Sequence, residues 1–307
     1  MGWQEINISK YIEQLKINLN LKNHEDILEK DLLLTLILAE FEKMDLGKDL
    51  IFKGGTLLSR NYLKYHRFSE DLDFVHKDSS NIRELPRSTR ERKIKKFINF
   101  FTPELKKVAD ALDLEFSTDR KNKRFCKMFN GRVIYTFKLY YSDIKFIKVE
   151  INFVEKLIHQ PEKVSIKSIT DFFGSKTILY ELGLSYQNFN VLSYPIEEIK
   201  IEKYRAVLTR NKLKERDLFD LFLIKDSLKA DINEIVEKIK NSSLIKRDLT
   251  KLIGEKLELL QNGKFFESEE KIEQLAVVIY DKKEFEEFKE RIKPILVEIC
   301  KSFLSSL

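Results

Sequence analysis

Glycine and proline are scarce in this chain, at 9 and 5 of 307 residues. Such scarcity argues against a turn-dense sandwich or barrel and favours long helices with a limited amount of sheet. Cysteine is scarcer still: Cys126 and Cys300 stand far apart, with no C-x-x-C pair, which excludes a disulfide framework or a zinc ribbon and fits a reducing compartment. Long apolar runs are also missing. The longest, Leu32 to Ala39, is interrupted by Thr35 and falls well short of the roughly 18 to 20 residues of a membrane span. The opening segment MGWQEINISK has no basic stretch followed by an apolar one, as a secretory leader would, and Ile6 breaks the myristoylation pattern. The expectation is a cytoplasmic protein with no membrane partner. Charge of one sign is in only small excess: 56 Lys+Arg against 50 Asp+Glu gives +6, a mild bias toward polyanionic partners.

With 43% hydrophobic and 35% charged residues the composition is that of a folded chain, and its length suits two domains. Residues 23 to 43 read as a helix, with Asn23 as N-cap and acids in the first turn. Asp49 to Phe52 reads as a short strand, Gly54-Gly55 as a turn, Thr56 to Tyr65 as a helix, and Leu72 to Val75 as a second strand. An amphipathic helix over Pro86 to Ala111 is followed by strand-like runs at Leu112 to Phe116, Val133 to Tyr141 and Phe146 to Phe153. Such an order gives a small mixed sheet rather than regular βαβ repeats. After about residue 170 helix formers take over, with helices expected near 195 to 210, 215 to 227, 232 to 240, 246 to 261 and 282 to 304. The fold class is therefore α+β, with domains at 1–170 and 171–307 that share an interface.

The most informative segment is FKGGTLLSRNYLKYHRFSEDLDFV, residues 52 to 75. Two glycines between a strand and a helix allow a tight turn and close approach of a ligand to backbone N–H groups, a geometry suited to phosphate. Asp71 and Asp73 are two apart in a strand, so both carboxylates project to one face while Leu72 and Phe74 project to the other. Adjacent acids repel unless a cation joins them, and hard oxygen ligands of this kind suit Mg²⁺. Glu150, in IKVEINF, stands on a strand that could lie beside theirs. It is a third metal ligand, or the base for an attacking hydroxyl, or an acid on a half-exposed strand that needs neither.

These motifs resemble the nucleotidyltransferase superfamily, and more closely the AbiEii family, the nucleotidyltransferase-like toxins of abortive-infection and toxin–antitoxin systems. The likeness rests on Phe52-Lys53-Gly54-Gly55-Thr56, on Arg67-Phe68-Ser69-Glu70-Asp71-Leu72-Asp73, on the upstream Leu28-Glu29-Lys30-Asp31 and on the later IEKYRAVLTR and RDLFDL. It runs from about Glu29 to Leu221; residues after about 225 match no motif. The resemblance implies a bilobed molecule, a nucleotidyltransferase-fold domain and a C-terminal helical domain closing over a cleft. It implies Mg²⁺-dependent transfer of a nucleotide from an NTP, releasing pyrophosphate, with the 3′ end of tRNA as acceptor. Asp71, Asp73 and Glu150 would hold the metal, while Lys53, Gly54, Gly55, Thr56 and Ser69 would lie along the phosphates. A cognate antitoxin from an adjacent gene is the implied protein partner. Transfer to a protein hydroxyl, or nucleotide or RNA binding without turnover, remain open alternatives.

In the helix expected from Pro195, Lys203 shares a stripe with Ile196, Ile199, Val207 and Arg210, so it sits on a largely apolar face. It either meets an anion there or snorkels to solvent. Asp217, in line with Leu213, Leu221 and Ile224, faces inward more than a solvated acid should. The resemblance implies that Lys203 contacts triphosphate and that Asp217 orients that lysine or the acceptor. Asp220 and Arg216 read as structural partners.

Other candidates are weaker. Gly174-Ser175-Lys176-Thr177 lacks the upstream glycine of a phosphate loop, and His24, His66, His76 and His159 show no ligand spacing. The basic cluster from Arg87 to Lys96 is a solvated helix face or a support for an RNA backbone.

Overall fold

A computed structural model describes residues 8–19, 25–44, 46–172, 189–224, 226–242, 249–268, 272, 276–277 and 280–306. Asn23, His24, Gly174 to Thr177 and the segment from 246 to 248 lie outside the described residues. The chain forms two compact units: residues 1–154 with 161–194, and residues 155–160 with 195–307. It therefore passes from one unit to the other three times. The expected change of architecture near residue 170 lies inside the first unit, because a strand at Asn190–Ser193 still belongs to its sheet.

The first unit is built on a mixed seven-stranded sheet in the order β3-β4-β5-β2-β1-β7-β6. Its strands are β1 (Leu50–Lys53), β2 (Asp71–His76), β3 (Cys126–Phe129), β4 (Ile134–Tyr140), β5 (Phe146–Asn152), β6 (Glu162–Ser165) and β7 (Asn190–Ser193). β2 runs antiparallel to β1 but parallel to β5, and β1 runs parallel to β7. One face of the sheet is apolar. Phe52, Leu72, Phe74, Phe137, Val149 and Ile151 are buried on it. They are covered by α2 (Glu25–Lys43), which follows α1 (Ile8–Leu19), and by α5 (Arg87–Ala111), which follows α4 (Ser79–Glu84). Helix α5 folds as its pattern directs: Ile94, Ile98, Phe101, Leu105 and Val108 recur at three- and four-residue steps and are all buried. Rings join the layers, with Phe41 stacked 5.8 Å from Phe74 and Phe101 lying 5.5 Å from Phe137.

Within this layer a second, ionic core ties α2 to the turn that follows β1. Arg60, 1% exposed, donates to Asp31 Oδ1 and to the Asp31 carbonyl, each at 2.8 Å, and to Thr35 Oγ1 at 3.0 Å. Leu28-Glu29-Lys30-Asp31 thus carries a structural anchor. The run Leu112 to Phe116, expected as a strand, contributes only a bridge between Glu115 and Tyr140. Asp113, at φ +53°, turns the chain there and breaks the extended run.

The second unit is helical: α6 (Ile196–Thr209), α7 (Glu215–Leu223), α8 (Ile232–Lys240), α9 (Leu249–Gln261) and α10 (Lys282–Ser305). Its core includes Leu218, Ile235, Ile239, Ile253, Ile292 and Leu296, all fully buried. Aspartates cap two of its helices, Asp231 accepting from Asn233 N at 2.8 Å and Asp281 from Lys283 N at 2.8 Å. The short segment 155–160 is bound in by buried charge. Glu198 accepts from Ile158 N and His159 N, at 3.0 and 2.8 Å. Lys238 donates to Glu198 and to the Lys156 carbonyl, at 2.6 and 2.8 Å.

Both cysteines are free and buried, and burial pushes their thiols up, Cys126 to about 11 and Cys300 to about 12. Among the described residues no helix is long and apolar enough to cross a membrane.

Candidate active site

The face of the sheet opposite the aromatic core is polar, and strand register sets what lies on it. β2 places Asp71 and Asp73 on this side, both half-buried, while Leu72 and Phe74 enter the core. β5 runs alongside so that Asp73 stands opposite Glu150 and Asp71 opposite Lys148. β1 sets Lys53 beside Asp73, and β4 sets Thr136 beside Glu150. The result is a row, Lys53, Asp73, Glu150 and Thr136, crossing four strands. A second row below it runs Asp71, Lys148 and Lys138. Neighbouring positions in such rows lie within reach of side-chain interaction.

Lys148 was not singled out from the sequence, yet it is central to this arrangement. Its ammonium lies 2.9 Å from Asp71 Oδ2 and 3.8 Å from Glu150 Oε2. The only sequence signal for it is the alternation Lys148, Val149, Glu150, which puts the lysine and the glutamate on one face; the register with β2 is what brings it to the aspartates. Burial opposes the Lys148 charge, but Asp73, Asp71 and Glu150 outweigh it and hold its pKa above the ordinary lysine value. Burial raises the Asp71 carboxyl, against the pull of Lys148. Burial also raises that of Glu150, which the charge on Asp73 pushes further while Lys148 opposes it. Thr136 Oγ1 donates to Glu150 Oε2 at 3.2 Å.

The turn after β1 is packed directly against these carboxylates. Gly54 opens helix α3 (Gly54–Leu57) at φ +83°, a left-handed conformation that glycine adopts without strain. A Cβ there would stand 2.6 Å from Asp73 Oδ2. A Cβ on Gly55 would meet Arg67 Nη2 at 2.7 Å and Ser69 Oγ at 2.9 Å. Gly54 is thus required by its conformation and by the approach of Asp73, while a side chain at Gly55 would displace the ends of Arg67 and Ser69. Thr56 is buried and its hydroxyl donates to the Asp71 carbonyl at 2.5 Å, pinning the turn to β2. Lys53 extends over the Tyr194 ring, its Nζ 5.7 Å from the centroid.

The donor set of this face suits Mg²⁺: hard carboxylate oxygens on adjacent strands, at a place where an ammonium already meets two of them. Among the described residues no three His, Cys, Asp or Glu side chains form a group able to hold a metal ion by themselves. A cation here would need ligands from elsewhere, as Mg²⁺ commonly takes them from substrate phosphates.

In the helical unit, Lys203 and Asp217 come together. Lys203, 7% exposed, lies 3.0 Å from Asp217 Oδ1 and 2.6 Å from Asp220 Oδ2. The lysine meets an anion, then, and does not snorkel to solvent. Asp217 is 1% exposed; its Oδ2 lies 3.2 Å from Arg210 Nε but out of line for a hydrogen bond. Asp220, a charge partner as expected, also meets Lys203. Two of the described histidines pack against neighbours: His76 sits edge-on to Phe97 at 4.8 Å, and His159 lies 3.3 Å from Glu234.

The chain is similar in fold to MenT4, a nucleotidyltransferase toxin from Mycobacterium tuberculosis H37Rv, with a TM-score of 0.50 and 14% identity over 97% of this chain and 99% of that one. At that identity the likeness is one of fold. No curated protein matches the chain. The family described as "Nucleotidyl transferase AbiEii toxin, Type IV TA system" matches over residues 36–300, a span that contains the glycine turn, the aspartate strand, Glu150 and the Lys203–Asp217 cluster. The chain belongs to the AbiEii nucleotidyl transferase toxins of type IV toxin–antitoxin systems.

Proposed function

We propose that this enzyme transfers a nucleotide from an NTP to the 3′-hydroxyl of tRNA, with Mg²⁺ as cofactor. The observation that carries the proposal is the row on the polar face, where Asp73 stands beside Glu150 with Gly54 packed against its carboxylate. Asp71 and Asp73 would hold the metal, with Glu150 as third ligand or as base. Bound there, Mg²⁺ would supply neutralisation of the charge that builds on the transferring phosphoryl group. The backbone N–H groups of Gly54, Gly55 and Thr56 position the phosphates, with Lys53 and Ser69 beside them. The acceptor hydroxyl oxygen bonds to the α-phosphorus as the bond to the β-phosphate breaks, and pyrophosphate leaves. Glu150, whose carboxyl is raised by burial, takes the hydroxyl proton. Lys203 contributes charge toward the triphosphate, and Asp217 orients it. Two carboxylates already hold that ammonium, so it must exchange one contact for phosphate.

The test is incubation with Mg²⁺ and each α-labelled NTP, offering total tRNA or cell protein as acceptor, beside Asp71→Asn and Asp73→Asn. Label in tRNA that both variants lose is the expected result. Label in protein would move the acceptor and keep the chemistry. Absence of label from every NTP would leave a nucleotide-binding protein without turnover. The family also implies an antitoxin partner, and co-expression with the product of the adjacent gene is expected to relieve growth arrest.

A further inference from the structure

The helical unit contains a basic concavity that the site described above does not use. It is a cavity of about 420 Å³ lined by Lys212, Lys214, Lys256 and Lys264, with Glu267 and Ser268 at its edge. Among the described residues that line it, four lysines stand against one glutamate, a balance that favours an anion. It is also pre-formed. Lys256 Nζ donates to the Asn211 carbonyl at 3.2 Å, and Ser268 Oγ donates to the Leu213 carbonyl at 3.3 Å, so the loop between α6 and α7 is stitched to α9 and to the segment that follows it.

Lys256 distinguishes this cavity from a patch of surface lysines. It is 5% exposed, and its ammonium lies 5.7 Å from the Phe265 centroid. Among the described residues no carboxylate comes within 4.0 Å of it. Burial lowers its pKa from the ordinary lysine value. Buried charges are ordinarily paired, because desolvation without a partner is unfavourable. A carbonyl and a ring at that distance satisfy the ammonium only in part, and a phosphate entering the cavity would complete it. The loop that forms the rim continues directly from Arg210 and into Asp217, both of the buried cluster.

We infer that this cavity takes a backbone phosphate of the RNA acceptor, so that strand binding is read in the helical unit beside the Lys203–Asp217 cluster. The inference rests on the proposed RNA acceptor. Each phosphate contact contributes about 0.7 to 0.9 to the slope of log affinity against log salt. Filter binding of labelled tRNA from about 50 to about 200 mM KCl, with the full chain, measures that slope. Lys212→Ala/Lys264→Ala, which changes two exposed residues, and Lys256→Gln are each expected to reduce it by no more than one phosphate's share, about 0.8. Lys121→Ala/Lys123→Ala, on an exposed loop of the first unit, is the control and should leave it as in the wild type.

An unchanged slope in both cavity variants would overturn the inference, as would an equal fall in the control. If the wild type labels tRNA while the cavity variants keep its slope, this inference fails alone. If the wild type neither labels nor binds tRNA, the acceptor reading fails and this inference with it.

Discussion

Replacing Gly54 by alanine separates backbone strain from damage to the carboxylate face. The residue sits at φ +83°, where a side chain costs about 1–2 kcal/mol. Its new Cβ would also stand 2.6 Å from Asp73 Oδ2, whereas ordinary contact begins at 3.4 Å. The carboxylate must therefore retreat by about 0.8 Å, the difference of those two distances. A displacement near 1 Å at a reacting group reduces turnover on the order of 100-fold. Gly131 provides the matching control: it has φ +72° and nothing within 4 Å of its added Cβ. Urea denaturation of Gly54→Ala and Gly131→Ala should give losses that agree to within about 1 kcal/mol. Transfer from an α-labelled NTP should collapse only in the former. Gly54→Ala with wild-type turnover would refute the claim that Asp73 acts from the position this glycine allows it.

Other expectations follow from the buried charges. Lys203→Ala removes the cation that Asp217 and Asp220 share in the core, and should lower stability by about 3–5 kcal/mol, read from urea midpoints. Asp71→Asn, on a half-buried strand position, should melt close to the wild type, so loss of transfer there reports chemistry rather than unfolding. Arg60→Met strands the Asp31 carboxylate in the core and should be destabilising by a comparable about 3–5 kcal/mol, more than Asp31→Asn/Arg60→Met together. His76, with its pKa lowered by burial, is held neutral in the fold. Its unfolded form binds the proton more readily, so its contribution is complete above the ordinary histidine pKa and is lost as pH falls through the folded value. The urea midpoint should fall between about pH 7.5 and about pH 5, and less steeply in His76→Gln.

Much of the polar face was legible because it depends on periods of two. Asp71 and Asp73 share a face in any strand, and Leu72 and Phe74 occupy the other in the structure as the alternation requires. Lys148 was not legible, since its importance comes from a register between strands that are more than seventy residues apart. The long helices lie close to their expected bounds, Arg87–Ala111 and Lys282–Ser305 among them. The short edge strands were not legible. In β3 only Cys126 is buried and the next three residues are exposed, so no alternation announces it; backbone pairing with β4 makes it a strand. The Lys203–Asp217 pair was legible as an apolar stripe carrying one cation and a neighbouring stripe carrying one acid. That Asp220 would join them depends on the angle at which two helices pack, which a stripe does not encode.

The order in which the ribosome delivers this chain gives its three passages between units a particular meaning. When residue 160 emerges, Glu155 to Gln160 already exist, yet Glu198 and Lys238, which satisfy their backbone, do not. The sheet cannot close on β1 until β7 arrives at Asn190. Six residues must therefore wait for their partners while the first unit completes its sheet. A fragment ending at Tyr194 would keep that loop without its partners. One beginning at Pro195 would keep the Lys238–Glu198 pair but lose the Ile158 and His159 amides and the Lys156 carbonyl that complete it. The chain divides into two compact units, but no single cut in the sequence yields both intact.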